Sequence, residues 1–120
     1  VSPLLFLAAA LAGGVGAVLR YLADRGVARL AGRRFPWGIF LVNLTGSFAL
    51  GLVTAALPEQ AFVLGAGLLG GYTTFSTAML DTVALWRDGE GGSAVFNAIG
   101  MLASSLLAAG LGLALGSALG

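Results

Sequence analysis

The stretch Gly70-Gly71-Tyr72-Thr73-Thr74-Phe75-Ser76-Thr77 lies in an uncharged run, residues 60–80. Two adjacent glycines followed by four hydroxyl side chains around a phenylalanine make a poor continuous helix. Gly costs about 1 kcal/mol relative to Ala in a helix interior, and Thr is β-branched. Yet the run is long enough for the roughly 20-residue helix that crosses a bilayer. A helix that breaks at membrane depth frees carbonyls and amides, which is tolerated only where protein, water or an ion satisfies them. Two readings follow. One is a kink repaired by threonine hydroxyls; the other is an ion site, where carbonyls of two copies meeting at an axis hold a small cation. The local sequence does not separate them.

Outward from the break, the whole chain is apolar. Of 120 residues, 58% are hydrophobic and 9% charged, against roughly 25% charged in soluble domains. The charges fall between Arg20 and Arg34, at Glu59, and between Asp81 and Glu90. What remains is four uncharged runs, 1–19, 35–58, 60–80 and 91–120, with no polar face of the kind a soluble helix needs. The expectation is an all-α integral membrane protein with one four-helix transmembrane domain over 1–120. Its helices run over about 3–21, 37–57, 60–86 and 93–119, the third broken at mid-membrane. Arg25, Arg29 and Arg33 are spaced by four and share a helical face that could extend the first helix. Phe35-Pro36-Trp37 turns the chain with aromatics suited to a membrane interface. Run 1–19 has the wrong order for a signal peptide, because its basic residues follow rather than precede it.

With four spans, the chain ends share one side, and the first and third loops share the other. All six arginines belong to the latter side, and there is no lysine. The positive-inside rule therefore puts both ends outside the cytoplasm of a multi-pass plasma (inner) membrane protein. Twenty glycines sit largely inside the spans, where they let neighbouring backbones approach closely. Gly112-x-x-x-Gly116 is such a packing pattern.

The polar residues inside the spans are of one kind. Asn43, Thr45, Ser47, Thr73, Thr74, Ser76, Thr77, Ser104 and Ser105 all donate hydrogen bonds, and none is a carboxylate. A cation path or a proton-coupled transporter would carry acids or His at mid-span. The chain has no His and no Cys, which removes thiol chemistry, ordinary zinc sites and His-based acid–base catalysis. No nucleophile–base pair lies in a span, so an enzyme is not expected. A net charge of +1 gives no reason to expect nucleic acid. Donors without acids suit a small anion. Hydroxyls can instead bond back to their own helix, the reading favoured for Thr45, Thr54 and Ser117. Asn43 is different: its amide has no such local solution, and it either glues helices or faces a pore. Phe75 is read either as a packing aromatic or as a ring whose electropositive edge faces an anion.

Taken together these residues resemble the Fluc (CrcB) fluoride channel family. The matching motifs are Gly13-Gly14-Val15-Gly16-Ala17 with Arg20-Tyr21, Val42-Asn43-Leu44-Thr45-Gly46-Ser47-Phe48 with Gly51, and the Gly70–Thr77 break. The resemblance implies an antiparallel dimer with two pores that let fluoride leave the cell passively. It implies a structural sodium ion at the dimer centre on the carbonyls of Gly70 and Thr73. It further implies that Asn43 and the Phe75 ring edge line the pore, with Ser47, Thr74, Ser76 and Ser104 continuing its polar track. In the fourth helix Ser105 is the second match after Ser104, and Phe96 or Asn97 stands in the place of a family Tyr.

The chain departs from the family pattern twice. Ala78 stands where the family usually carries a second Phe, and the arginines are lopsided where dual-orientation members are balanced. Both departures lead to the expectation of the fixed-orientation half of a heterodimer, with an inverted paralogue supplying the missing Phe; pairing of the chain with itself is the alternative. A small multidrug-type exporter, also four-span and antiparallel, is set aside because run 1–19 has no carboxylate. A structural subunit whose polar residues are all helix glue remains as the competing class.

Overall fold

The computed structural model describes residues 2–120. It is helical, with no strand among the described residues. Four helical segments are long and apolar enough to cross a bilayer. They are α1 (Pro3–Ala31), α2 (Trp37–Ala56), a third made of α3 (residues 62–72) and α4 (Phe75–Arg87), and α5 (Gly91–Leu119).

Local chemistry sets the ends. Ser2 caps α1 through its hydroxyl, which accepts from the Leu5 N–H at 3.1 Å, and Pro3 fits the first turn, where no N–H is needed. α1 does not stop near Tyr21. Seven of residues 22–31 are Ala, Leu or Arg, good helix formers that carry the helix past Gly26, and Arg25 braces it by donating to the Tyr21 hydroxyl at 2.9 Å while lying over its ring. The helix ends at Gly32, whose φ of 77° closes it with an N–H to the Ala28 carbonyl. Arg33 therefore falls outside the helix that carries Arg25 and Arg29. Thr74 caps α4 by accepting from the Thr77 N–H at 3.2 Å.

Two helix pairs make the frame. α1 packs along α3, and α2 packs along α5. In both, backbone meets backbone at glycine. A Cβ at Gly16 would land on the Leu68 carbonyl oxygen, and one at Gly112 on the Phe48 carbonyl oxygen. Without a hydrophobic drive between helices in lipid, such close approach is what holds them together. The pairs join along α1 and α2, where Asp24 lies against Gly38, and along the third span and α2, where Tyr72 and Thr73 pack on Gly46.

At the end that carries the arginines, Phe35, Trp37, Phe40 and Phe96 form an aromatic cluster, with Phe40 and Phe96 stacked at 5.6 Å. Arg34 reaches Glu90 at 3.7 Å, so the first and third loops meet there. Few side chains are buried within the chain, and large apolar residues cover most of its outside.

Candidate functional site

The helix ladder stops at Thr73 and Thr74, whose ψ values of 157° and 126° are extended. Asn43 on α2 takes over the backbone there. Its Oδ1 accepts from the Thr74 N–H at 2.9 Å, and its Nδ2 donates to the Thr74 carbonyl at 2.8 Å. The pairing fixes the amide's orientation, since only an oxygen can face the Thr74 N–H. The second N–H of Nδ2 points at the Met101 sulfur, 3.1 Å away.

This clamp has a consequence for two carbonyls. In an unbroken helix the Thr74 N–H would go to the Gly70 carbonyl and the Thr77 N–H to the Thr73 carbonyl. Instead they go to Asn43 Oδ1 and Thr74 Oγ1. The Gly70 and Thr73 carbonyls are left without a backbone donor.

Beside the break lies an open cleft of about 600 Å³, lined by α2, the third span and α5. Asn43, Ser47, Gly70, Thr73, Thr74 and Phe75 all reach it, as do Met101 and Ser105. No charged residue lines it. Phe75 is 78% exposed, so its ring packs against little of its own chain. Among the described residues, the Ser105 hydroxyl is buried without a partner.

Two residues of the expected polar track lie elsewhere. Ser104 does not line the cleft: its hydroxyl donates back to the Gly100 carbonyl at 2.6 Å, one turn before it. Ser105 is the α5 serine in the cleft. Ser76 is exposed on the first turn of α4, outside the cleft lining. Thr45 and Thr54 bond back to Leu41 and Leu50, as expected of them, and Thr45 also accepts from the Tyr72 hydroxyl at 3.0 Å.

Sequence reasoning gave no role to Met101, and none to Asn97 beyond a family position. Asn97 is wholly buried in a π-helical turn, Phe96–Gly100. Its Nδ2 donates to Thr82 Oγ1 at 2.9 Å, and its Oδ1 has no partner. Its polarity in an apolar run was the available signal. For Met101 there was none, because its role depends on facing Asn43.

Residues 7–113 match the family described as CrcB-like protein, Camphor Resistance (CrcB). The chain belongs to this family. Among its curated relatives is the "Fluoride-specific ion channel FluC 1" of Leifsonia xyli subsp. xyli, 46% identical over 96% of this chain and 88% of the relative. The "Fluoride-specific ion channel FluC 1" of Symbiobacterium thermophilum is 48% identical, over 88% of this chain and 91% of the relative. The "Fluoride-specific ion channel FluC" of Geobacter sulfurreducens is 46% identical, over 84% and 87%. These relatives are named as channels, not as enzymes. With its four apolar spanning helices, this CrcB-family chain is a multi-pass membrane protein.

Proposed function

We propose that this CrcB-family chain is one half of a dimeric, passive fluoride channel that lets the ion leave the cytoplasm. One observation carries the reading. A broken span is clamped by Asn43 beside a cleft whose polar lining is donors, carbonyls and an aromatic ring, with no charged side chain. Fluoride is small and strongly hydrated, so a path must replace its water with several donors. Hydroxyls at Ser47 and Ser105, the Asn43 amide and the Phe75 ring edge offer such donors without a fixed charge that would trap the ion.

The Gly70 and Thr73 carbonyls fit a structural sodium ion. Both have lost their helical donors, both belong to residues that line the cleft, and oxygen ligands suit a hard cation. Two copies meeting there would offer four such oxygens, and a cation so held would favour anions nearby. The second copy runs antiparallel and is either this chain or an inverted paralogue. Exposed Phe75 and the open cleft are the surfaces it would complete.

The test is a fluoride-electrode efflux assay on liposomes carrying the purified chain, alone and with an inverted partner. Fluoride efflux that far exceeds chloride efflux is expected. Equal flux of both ions, or none from either preparation, overturns the proposal.

A further inference from the structure

Asn43 has two amide hydrogens to give. One is fixed on the Thr74 carbonyl, and the other points at the Met101 sulfur. A thioether is a weak acceptor, so this second hydrogen is the one an arriving anion can take. Met101 covers it from the wall of the cleft, packed with Ile39, Phe40 and Ala78 at 6% exposure.

Positions 97, 101 and 105 share one face of α5. One turn before Met101, the Asn97 Oδ1 is buried and unpartnered; one turn after it, so is the Ser105 hydroxyl. Buried polar atoms are normally paired. Of the two, only the Ser105 hydroxyl can donate to an anion and lines the cleft, so Met101 stands between the donors of Asn43 and Ser105 on the cleft wall. Resting on the fluoride-channel reading, we propose that Met101 is a gate on this half of the pathway. Its thioether caps the free Asn43 N–H between ions and swings aside for fluoride to accept that hydrogen. Methionine suits the task because it is unbranched and has three rotatable bonds. The adjoining cleft gives it room to move. A leucine there would leave the amide hydrogen without an acceptor, and its branched end would move less freely.

The experiment compares wild type, Met101→Ala and Met101→Leu in proteoliposome fluoride efflux, with thermal stability of each in detergent. The Asn43 side-chain amide resonances of the wild type are followed by NMR as sodium fluoride is titrated, with sodium chloride as control. Met101→Ala is expected to conduct several-fold faster than wild type and Met101→Leu several-fold slower, and the Asn43 resonances to move with fluoride only. Leu conserves volume and keeps the fold, so it decides even where Ala does not fold. A wild-type rate in Met101→Leu, or slower efflux in a stably folded Met101→Ala, overturns the gate while leaving the channel reading intact. Conduction that appears only in Met101→Ala supports both. No fluoride flux in any variant removes both.

Discussion

Replacing Asn43 by Ala removes both halves of its clamp on Thr74 at once. Each backbone group left unpaired costs about 1–3 kcal/mol, so Asn43→Ala is expected to lower the melting temperature in detergent and to bring fluoride efflux to background. Phe75→Ile separates function from folding. The ring is largely exposed within its own chain, so the fold of the single chain should melt as the wild type does while efflux falls by about five- to thirty-fold, the loss expected when one well-placed stabilising contact of roughly 1–2 kcal/mol is removed. Normal efflux in both variants would return these residues to the role of helix glue. Asn43 was legible as unusual because its amide cannot be satisfied within its own helix; that its partner is Thr74 depends on how α2 meets the break. The choice between Ser104 and Ser105 was not legible. α5 is apolar nearly all round, so nothing in the sequence says which face meets Asn43. In the structure α5 meets Asn43 through Met101, which puts Ser105 in the cleft and leaves Ser104 bonded to its own helix.

At the scale of the helices, glycine decides how closely the pairs sit. Gly14 and Gly16 look alike in the sequence, and their surroundings differ completely. A Cβ at Gly14 meets nothing within 4 Å, whereas one at Gly16 strikes the Leu68 carbonyl and comes 2.8 Å from the Tyr72 nitrogen. The obstacle is backbone, which cannot rotate away. Gly16→Ala is therefore expected to cost about 1–3 kcal/mol, the usual range for overpacking. It should also displace the third span just before its break. Gly14→Ala should melt as the wild type does. Thermal melting of the two variants in one detergent checks the pair, and equal stability would show that α1 and α3 are not in backbone contact. The four apolar spans could be read from charge spacing alone. The length of α1 was legible in part: the spacing of Arg25 and Arg29 allowed the extension past Tyr21, but the stop at Gly32 leaves Arg33 outside it. At about 1.5 Å per residue, 29 residues make a helix of about 43 Å, longer than the roughly 30 Å hydrocarbon core. Its arginine-bearing end must project or tilt.

The whole molecule is electrically one-sided. Its arginines gather at the end where the first and third loops meet, and the opposite end carries only Glu59. The positive-inside rule then predicts one orientation, with the chain ends outside the cytoplasm. The chain has no native cysteine, so single cysteines report cleanly. A membrane-impermeant maleimide added to intact cells should label Ser2→Cys and Glu59→Cys but not Asp88→Cys; labelling at all three positions would show dual insertion. An orientation so fixed would limit what the chain does alone as half of the proposed antiparallel dimer. Copies that all face the same way cannot form an antiparallel pair in a cell, whatever they do after random reconstitution from detergent. Ala78 adds a separate limit. It lines the cleft yet is 2% exposed, packed beside Met101, at the position where the family resemblance implies a second ring. The two limits come apart when an inverted copy is made by moving arginines from positions 29 and 33 to positions 2 and 59. In a fluoride-sensitive host without its own fluoride channels, the wild-type chain alone should give no protection. Wild type with the inverted copy should give partial protection, and with an inverted copy that also carries Ala78→Phe, fuller protection. Growth on fluoride plates measures all three, with membrane levels matched by immunoblot. Full protection by the wild-type chain alone would mean that neither an opposed partner nor a second ring is needed. Equal protection by the two inverted copies would assign the need to orientation and leave Ala78 with no part in it.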